Sequence, residues 1–171
     1  MGVKLAAALG GSIELVPTNT ASNFTVTVPA KTGTMAMDGP AFSAWANATT
    51  SLVTGGYIKI LFGTEDFDTN NNFASSRFTP TVEGYYQISG SMQTASSAIA
   101  AAAIYRNGTQ YKLGTYSGIA FVSGVYNVTS VVYLNGTTDY VELYGYNGST
   151  TQNITNAQTV TYFNGAMVRG A

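Results

Sequence analysis

Asp66, Asp68, Asn70 and Asn72 place four oxygen-bearing side chains at alternate positions of one short segment. Hard cations such as calcium are held by such loops, which supply carboxylate and amide oxygens at every second residue. The full calcium-loop pattern fails, because Asn71 stands where the sixth position needs Gly and Arg77 where the twelfth needs Glu. Asp and Asn also cap turns by bonding their own backbone, so Asp66, Asp68 and Asn70 are candidate calcium ligands with turn-capping as the alternative. Two pairs of acids, Asp139 with Glu142 and Glu65 with Asp66, have the residue types of a glycosidase dyad. That chemistry needs one carboxyl buried with a raised pKa. The chain has no Cys and no His, so it lacks thiol nucleophiles, disulfides and the commonest general base. With no nucleophile and base to pair, the reading is of a protein that is not an enzyme and carries no cofactor, calcium aside.

Twelve Tyr residues are a further chemical resource. A tyrosine offers a flat apolar ring for stacking on a sugar and a hydroxyl for bonding it. Tyr116, Tyr144 and Tyr146 are the candidate glycan-binding residues, provided that strand packing, which also favours tyrosine, leaves them on an outer surface.

The elements that would position these residues are strands. Charged residues make up only 9% of the chain, against about a quarter in ordinary globular proteins, and Thr, Ser, Asn, Gly and Tyr fill the surface instead. Those residues favour strands and turns over long helices. A net charge of −1 gives no basic field for phosphates, so nucleic acid is not an expected partner. The apolar run at Leu5-Ala6-Ala7-Ala8-Leu9 is short for a signal peptide and passes straight into a strand pattern. No run of 18 apolar residues occurs, so no membrane insertion is expected.

Residues 1–40 differ from the rest. Ile13-Glu14-Leu15 and Phe24-Thr25-Val26-Thr27-Val28 are alternating stretches separated by Pro17-Thr18-Asn19-Thr20. An isolated ribbon is marginal in water, so Phe24, Val26 and Val28 need a partner surface, most simply the same segment of neighbouring chains. Residues 1–40 are therefore read as an N-terminal β stem and anchor, hinged at Asp38-Gly39-Pro40 to a head over 41–171. In the head, strands are expected over 57–62, 84–90, 100–106, 128–134, 140–146 and 159–168. Asn-Gly at 107–108, 135–136 and 147–148 suits type I′ hairpin turns, and Gly84 suits a tight turn after Val82. The alanine-rich run 98–104 reads as a strand of small residues, packed in a crowded core or at a subunit interface.

The segment Phe62-Gly63-Thr64-Glu65-Asp66-Phe67-Asp68-Thr69-Asn70-Asn71-Asn72-Phe73, with Arg77-Phe78-Thr79-Pro80-Thr81-Val82-Glu83-Gly84-Tyr85-Tyr86, resembles the globular domain of complement component 1q. Ile104-Tyr105-Arg106-Asn107-Gly108, Leu134-Asn135-Gly136-Thr137-Thr138-Asp139-Tyr140-Val141 and Tyr162-Phe163-Asn164-Gly165-Ala166 extend the likeness over about residues 41–169. The resemblance implies an all-β jelly-roll sandwich of the tumour-necrosis-factor type that packs as a homotrimer; some members of that family bind calcium. The chain lacks the Gly-X-Y stalk of animal members. Its stem instead resembles short β segments near the ends of phage tail-fibre and virion proteins.

Together these readings predict a phage virion protein. It would be a trimeric fibre or spike head, docked on other virion proteins through its N-terminal stem and attaching to host-surface glycan or receptor. The alternatives are a capsid decoration protein with no receptor role and a bacterial lectin-like binding module.

Overall fold

The computed structural model describes residues 3–6, 12–15 and 39–171, and the chain divides into two compact units, Met1–Gly33 and Thr34–Ala171. In the first unit, β1 (Val3–Ala6) and β2 (Ser12–Leu15) pair antiparallel, Val3 opposite Leu15 and Ala6 opposite Ser12. The expected Ile13–Leu15 strand is therefore present, and Val3-Lys4-Leu5 is its partner. Phe24, Val26 and Val28, read as stem-assembly residues, lie outside the described residues.

The second unit is built from short strands in chain order: β3 (Ala41–Trp45), β4 (Ser51–Leu52), β5 (Gly56–Lys59), β6 (Thr64–Asp68), β7 (Phe73–Ala74) and β8 (Arg77–Phe78). They are followed by β9 (Glu83–Gln93), β10 (Ala100–Arg106), β11 (Thr109–Tyr116), β12 (Val125–Asn135), β13 (Val141–Asn147), β14 (Gln152–Asn153) and β15 (Tyr162–Gly170). No helix occurs among the described residues. One sheet has six strands in the order β11-β10-β13-β8-β7, with β5 also pairing β13; the other has five in the order β12-β9-β15-β3-β6. A third pairing, β14 with β4, is a two-stranded ribbon. Successive long strands change sheets, β9 to β10, β11 to β12 and β12 to β13, which wraps the chain around one core as a jelly-roll sandwich.

Alternation explains why each long strand sits where it does. Along β12, Tyr126, Val128, Val132 and Leu134 are buried while Val125, Asn127, Thr129 and Val131 face outward or are exposed, the period of two that half-buried strands require. Between the sheets, the Phe42 ring stacks on Phe78 at 4.4 Å and on Phe73 at 4.8 Å, and meets Phe163 edge-on at 5.1 Å. Phe78 and Tyr86, expected on the inner face, are both fully buried with their rings 5.6 Å apart. Burial pushes the Tyr86 phenol up to about 12, and its hydroxyl donates to the Val82 carbonyl at 2.6 Å.

Three local expectations are corrected. Gly84 is not in a turn: it lies inside β9, opposite Leu134 and Gly170, and a Cβ there would come within 2.5 Å of the Arg169 carbonyl oxygen and 2.6 Å of the Met167 methyl. Its role is to let β15 approach closely. Of the three Asn-Gly pairs, only Asn107 (φ 52°) and Gly108 (φ 76°) form the two-residue turn with both φ positive, between Arg106 and Thr109. Asn135 instead accepts backbone bonds from Thr137, Thr138 and Asp139. Asn147 is a buried strand end whose amide donates to the Leu52 and Thr150 carbonyls.

Candidate functional site

The six-stranded sheet presents its inner face to the core and its outer face away from it. On β13, Val141 and Leu143 point inward, so Glu142, Tyr144 and Tyr146 share the outer face. Register then fixes their neighbours. Tyr146 is paired with Ala101 on β10 and Tyr57 on β5, and Ala101 in turn with Tyr116 on β11. One step along, Tyr144 is paired with Ala103 and Lys59, and Ala103 with Leu113. One step further, Glu142 is opposite Tyr105.

These pairings gather five tyrosines into a ladder. Ring centroids lie 6.4 Å apart for Tyr116 and Tyr146, 5.2 Å for Tyr146 and Tyr57, and 5.8 Å for Tyr57 and Tyr105. Tyr105 and Tyr144 stack at 3.9 Å with planes 21° apart. The alanine run explains how the rings lie down. Ala100, Ala102 and Ile104 fill the core, whereas Ala101 and Ala103 face outward and are nonetheless fully covered, Ala101 lying in register between Tyr116 and Tyr146 and Ala103 between Leu113 and Tyr144. Small residues are needed on both faces of β10, a crowded core on one and a seat for the rings on the other.

An ion cluster closes one end of the ladder. Glu142 is only 2% exposed, and its Oε1 accepts from Lys59 Nζ at 2.7 Å and from Arg77 Nε at 2.8 Å. Its Oε2 accepts from the Tyr144 hydroxyl at 3.4 Å. Burial by itself would raise this carboxyl, but the bonds and charges of Lys59 and Arg77 outweigh it and hold Glu142 below the usual carboxylate range. The bond to Glu142 raises Arg77. The Arg77 guanidinium also lies 3.7 Å from the centre of the Tyr140 ring, a cation–π arrangement. Burial first, and then neighbouring tyrosines or Glu142, raises the phenols of Tyr57, Tyr105 and Tyr144, so these three stay neutral well above physiological pH.

Tyr116, Tyr144 and Tyr146, singled out from the sequence, are thus brought onto one surface. Tyr57, Tyr105, Lys59 and Arg77 complete it, and nothing in the sequence marked them because cross-strand register joins residues about 40 to 90 positions apart. The calcium candidates are arranged differently. Asp66 accepts from Ser43 Oγ at 2.8 Å and from Gln158 Nε2 at 2.6 Å, and Asp68 accepts from the backbone amides of Asn70 and Phe73 at 3.3 and 2.7 Å. The Asn70 amide oxygen accepts from the Thr69 hydroxyl at 2.8 Å. Asp68 thus caps the turn that follows β6, whereas Asp66 ties β6 to the side chains of Ser43 and Gln158. Asp139 is also engaged, by Arg106 at 2.6 Å, Asn107 at 2.7 Å and the Asn135 amide at 3.1 Å. Burial would raise it, but these bonds win and lower it. Asp139 and Glu142 are each held ionised, the reverse of the protonated acid a glycosidase dyad requires.

The outer face of the five-stranded sheet has another character. Gln87, Ser89, Asn127, Thr129, Asn164 and Ala166 occupy its middle, with Glu83 and Arg169 at one end. A shallow depression of about 330 Å³ lies over Ser43, Phe67, Ser89 and Asn164. No helix among the described residues is long and apolar enough to cross a membrane.

No protein-family model and no curated protein matches the chain. Solved structures do match. The globular domain of zebrafish complement 1qA protein superposes with a TM-score of 0.59 at 18% identity, covering 78% of this chain and all of that one. Murine APRIL gives 0.61 at 8% identity over 77% of this chain and all of its own. The PRD1 vertex protein P5 gives 0.55 at 10% identity over 76% of this chain and 97% of its own. At these identities the likeness is one of fold: an all-β jelly-roll sandwich of the complement 1q and tumour-necrosis-factor kind.

Proposed function

We propose that this chain is a virion protein, a homotrimeric fibre or spike head that attaches to host-surface glycan through the tyrosine ladder. The observation that carries the reading is the contrast between the two outer sheet faces. The middle of one is free of charge, shallowly dished and lined by small polar and apolar side chains, with Glu83, Arg169 and Asp66 toward its edges, which suits burial against further copies of the chain. The other displays five clustered tyrosines beside the Lys59–Glu142–Arg77 ion cluster, which suits recognition. Assembly through the first face leaves the second free on every copy. The resemblance to trimer-forming complement 1q domains supports the trimer, and the likeness to the PRD1 vertex protein P5 supports a place on a particle. Docking through the N-terminal stem completes this arrangement. The jelly-roll neighbours favour a binding or structural module over an enzyme.

Shell decoration without a receptor role is the second reading, favoured by the same likeness to a vertex protein. Labelling the protein on purified particles and imaging them separates the two: label at a fibre or spike tip supports attachment, and label spread over the shell supports decoration. Sedimentation should give a trimer at micromolar concentration; a stable monomer overturns the assembly.

A further inference from the structure

We infer that the tyrosine ladder takes an acidic oligosaccharide, with sugar rings on Tyr146, Tyr57 and Tyr105 and a carboxylate on Arg77 and Lys59. This rests on the glycan reading above and narrows it. Successive rings at 5.2 and 5.8 Å, with planes tilted by 43° and 52°, offer adjacent stacking platforms rather than one isolated aromatic. The electron-rich ring faces attract the C–H faces of sugars, and phenol hydroxyls can bond sugar alcohols. Charge then chooses among sugars. At the Glu142 end two cations, Lys59 and Arg77, share a single carboxylate oxygen, which leaves one positive charge uncompensated in the cluster. Lys59 and Arg77 are 24% and 41% exposed while Glu142 is 2% exposed, so the excess faces outward. Arg77 uses Nε on Glu142 and rests on the Tyr140 ring. The guanidinium is thereby held in one orientation, and its fork of donors matches a carboxylate. Nucleic acid is a poorer fit, because the chain carries a net charge of −1 and phosphate binding relies on many cations.

The test measures binding of the intact protein, displayed on beads, to matched pairs of probes: lactose against 3′-sialyllactose, and neutral against uronic-acid-containing tetrasaccharides. The carboxylated member should bind about tenfold tighter, and raised salt should erode the difference. Arg77→Gln should abolish the preference, because the remaining Lys59 is then matched by Glu142; Arg77→Lys should keep part of it. Tyr146→Ala and Tyr105→Ala should weaken both members of a pair, with near-UV circular dichroism confirming the fold of each variant. Equal binding of both members overturns the acidic preference and leaves the glycan reading standing. If neither member of any pair binds, both readings fail.

Discussion

Glu142 sits where a carboxylate is costly, nearly sealed from water on the outer face of a sheet, and two cations make it tolerable. Its lowered pKa means that the folded state binds a proton there less readily than the unfolded chain. The resulting stability is fully present above the ordinary value of 4.5 and is lost as pH falls through the lowered folded value. Glu142→Gln should therefore cost about 1–3 kcal/mol near neutral pH and remove part of the acid dependence. Urea titrations of both proteins between pH 7 and pH 3 check this: parallel curves would show that the cluster contributes nothing through this group. The lesion should also disturb the ladder, since the Tyr144 hydroxyl loses its carboxylate partner.

At the scale of elements, β9 and β10 show how spacing between strands is set by what is missing from a side chain. Gly84→Val would drive a branched side chain into the Arg169 carbonyl and Met167, and should cost about 1–3 kcal/mol by prising β15 from β9. Denaturation midpoints should separate it clearly from Thr129→Val, on the exposed side of β12; overlapping melts would deny the close approach. Much of the architecture was legible beforehand. Ala100–Arg106 occupies the expected span, and the strands expected over 84–90, 128–134 and 140–146 are present with shifted or extended ends, because alternation of apolar and polar residues records which face meets the core. What alternation cannot record is which strand lies alongside. The Gly84 assignment failed for that reason, since its need for space comes from β15, more than eighty positions away. Tyr57 and Tyr105 were missed on the same account, whereas Tyr144 and Tyr146, two apart on one strand, were visible as a pair. Thr109–Tyr116 went unread as a strand because its side chains are exposed or half-buried throughout, so no apolar beat marks it.

On the scale of the molecule, the proposed function assigns assembly and recognition to opposite faces of the sandwich. Ala166 is exposed, lines the depression on the five-stranded sheet and stands opposite Gln87 and Ala41. Ala166→Glu introduces one carboxylate per copy onto a face that would meet other copies, so the trimer should dissociate into folded monomers. Sedimentation with circular dichroism reads both at once; a persistent trimer would place the interface elsewhere. Dissociation should also reduce adherence far more than single-site affinity, because many weak contacts on one particle gain by roughly 10² to 10⁴ through multivalency. The alanines beneath the ladder carry a different consequence. Ala101 and Ala103 separate the tyrosines from the packed interior by a full strand thickness, with Ala100, Ala102 and Ile104 facing the other way. Substitutions at 57, 105, 116, 144 and 146 can therefore accumulate without opening cavities in the core. A lineage bearing this protein could exchange one surface target for another by small heritable steps, each tested against a scaffold that stays folded.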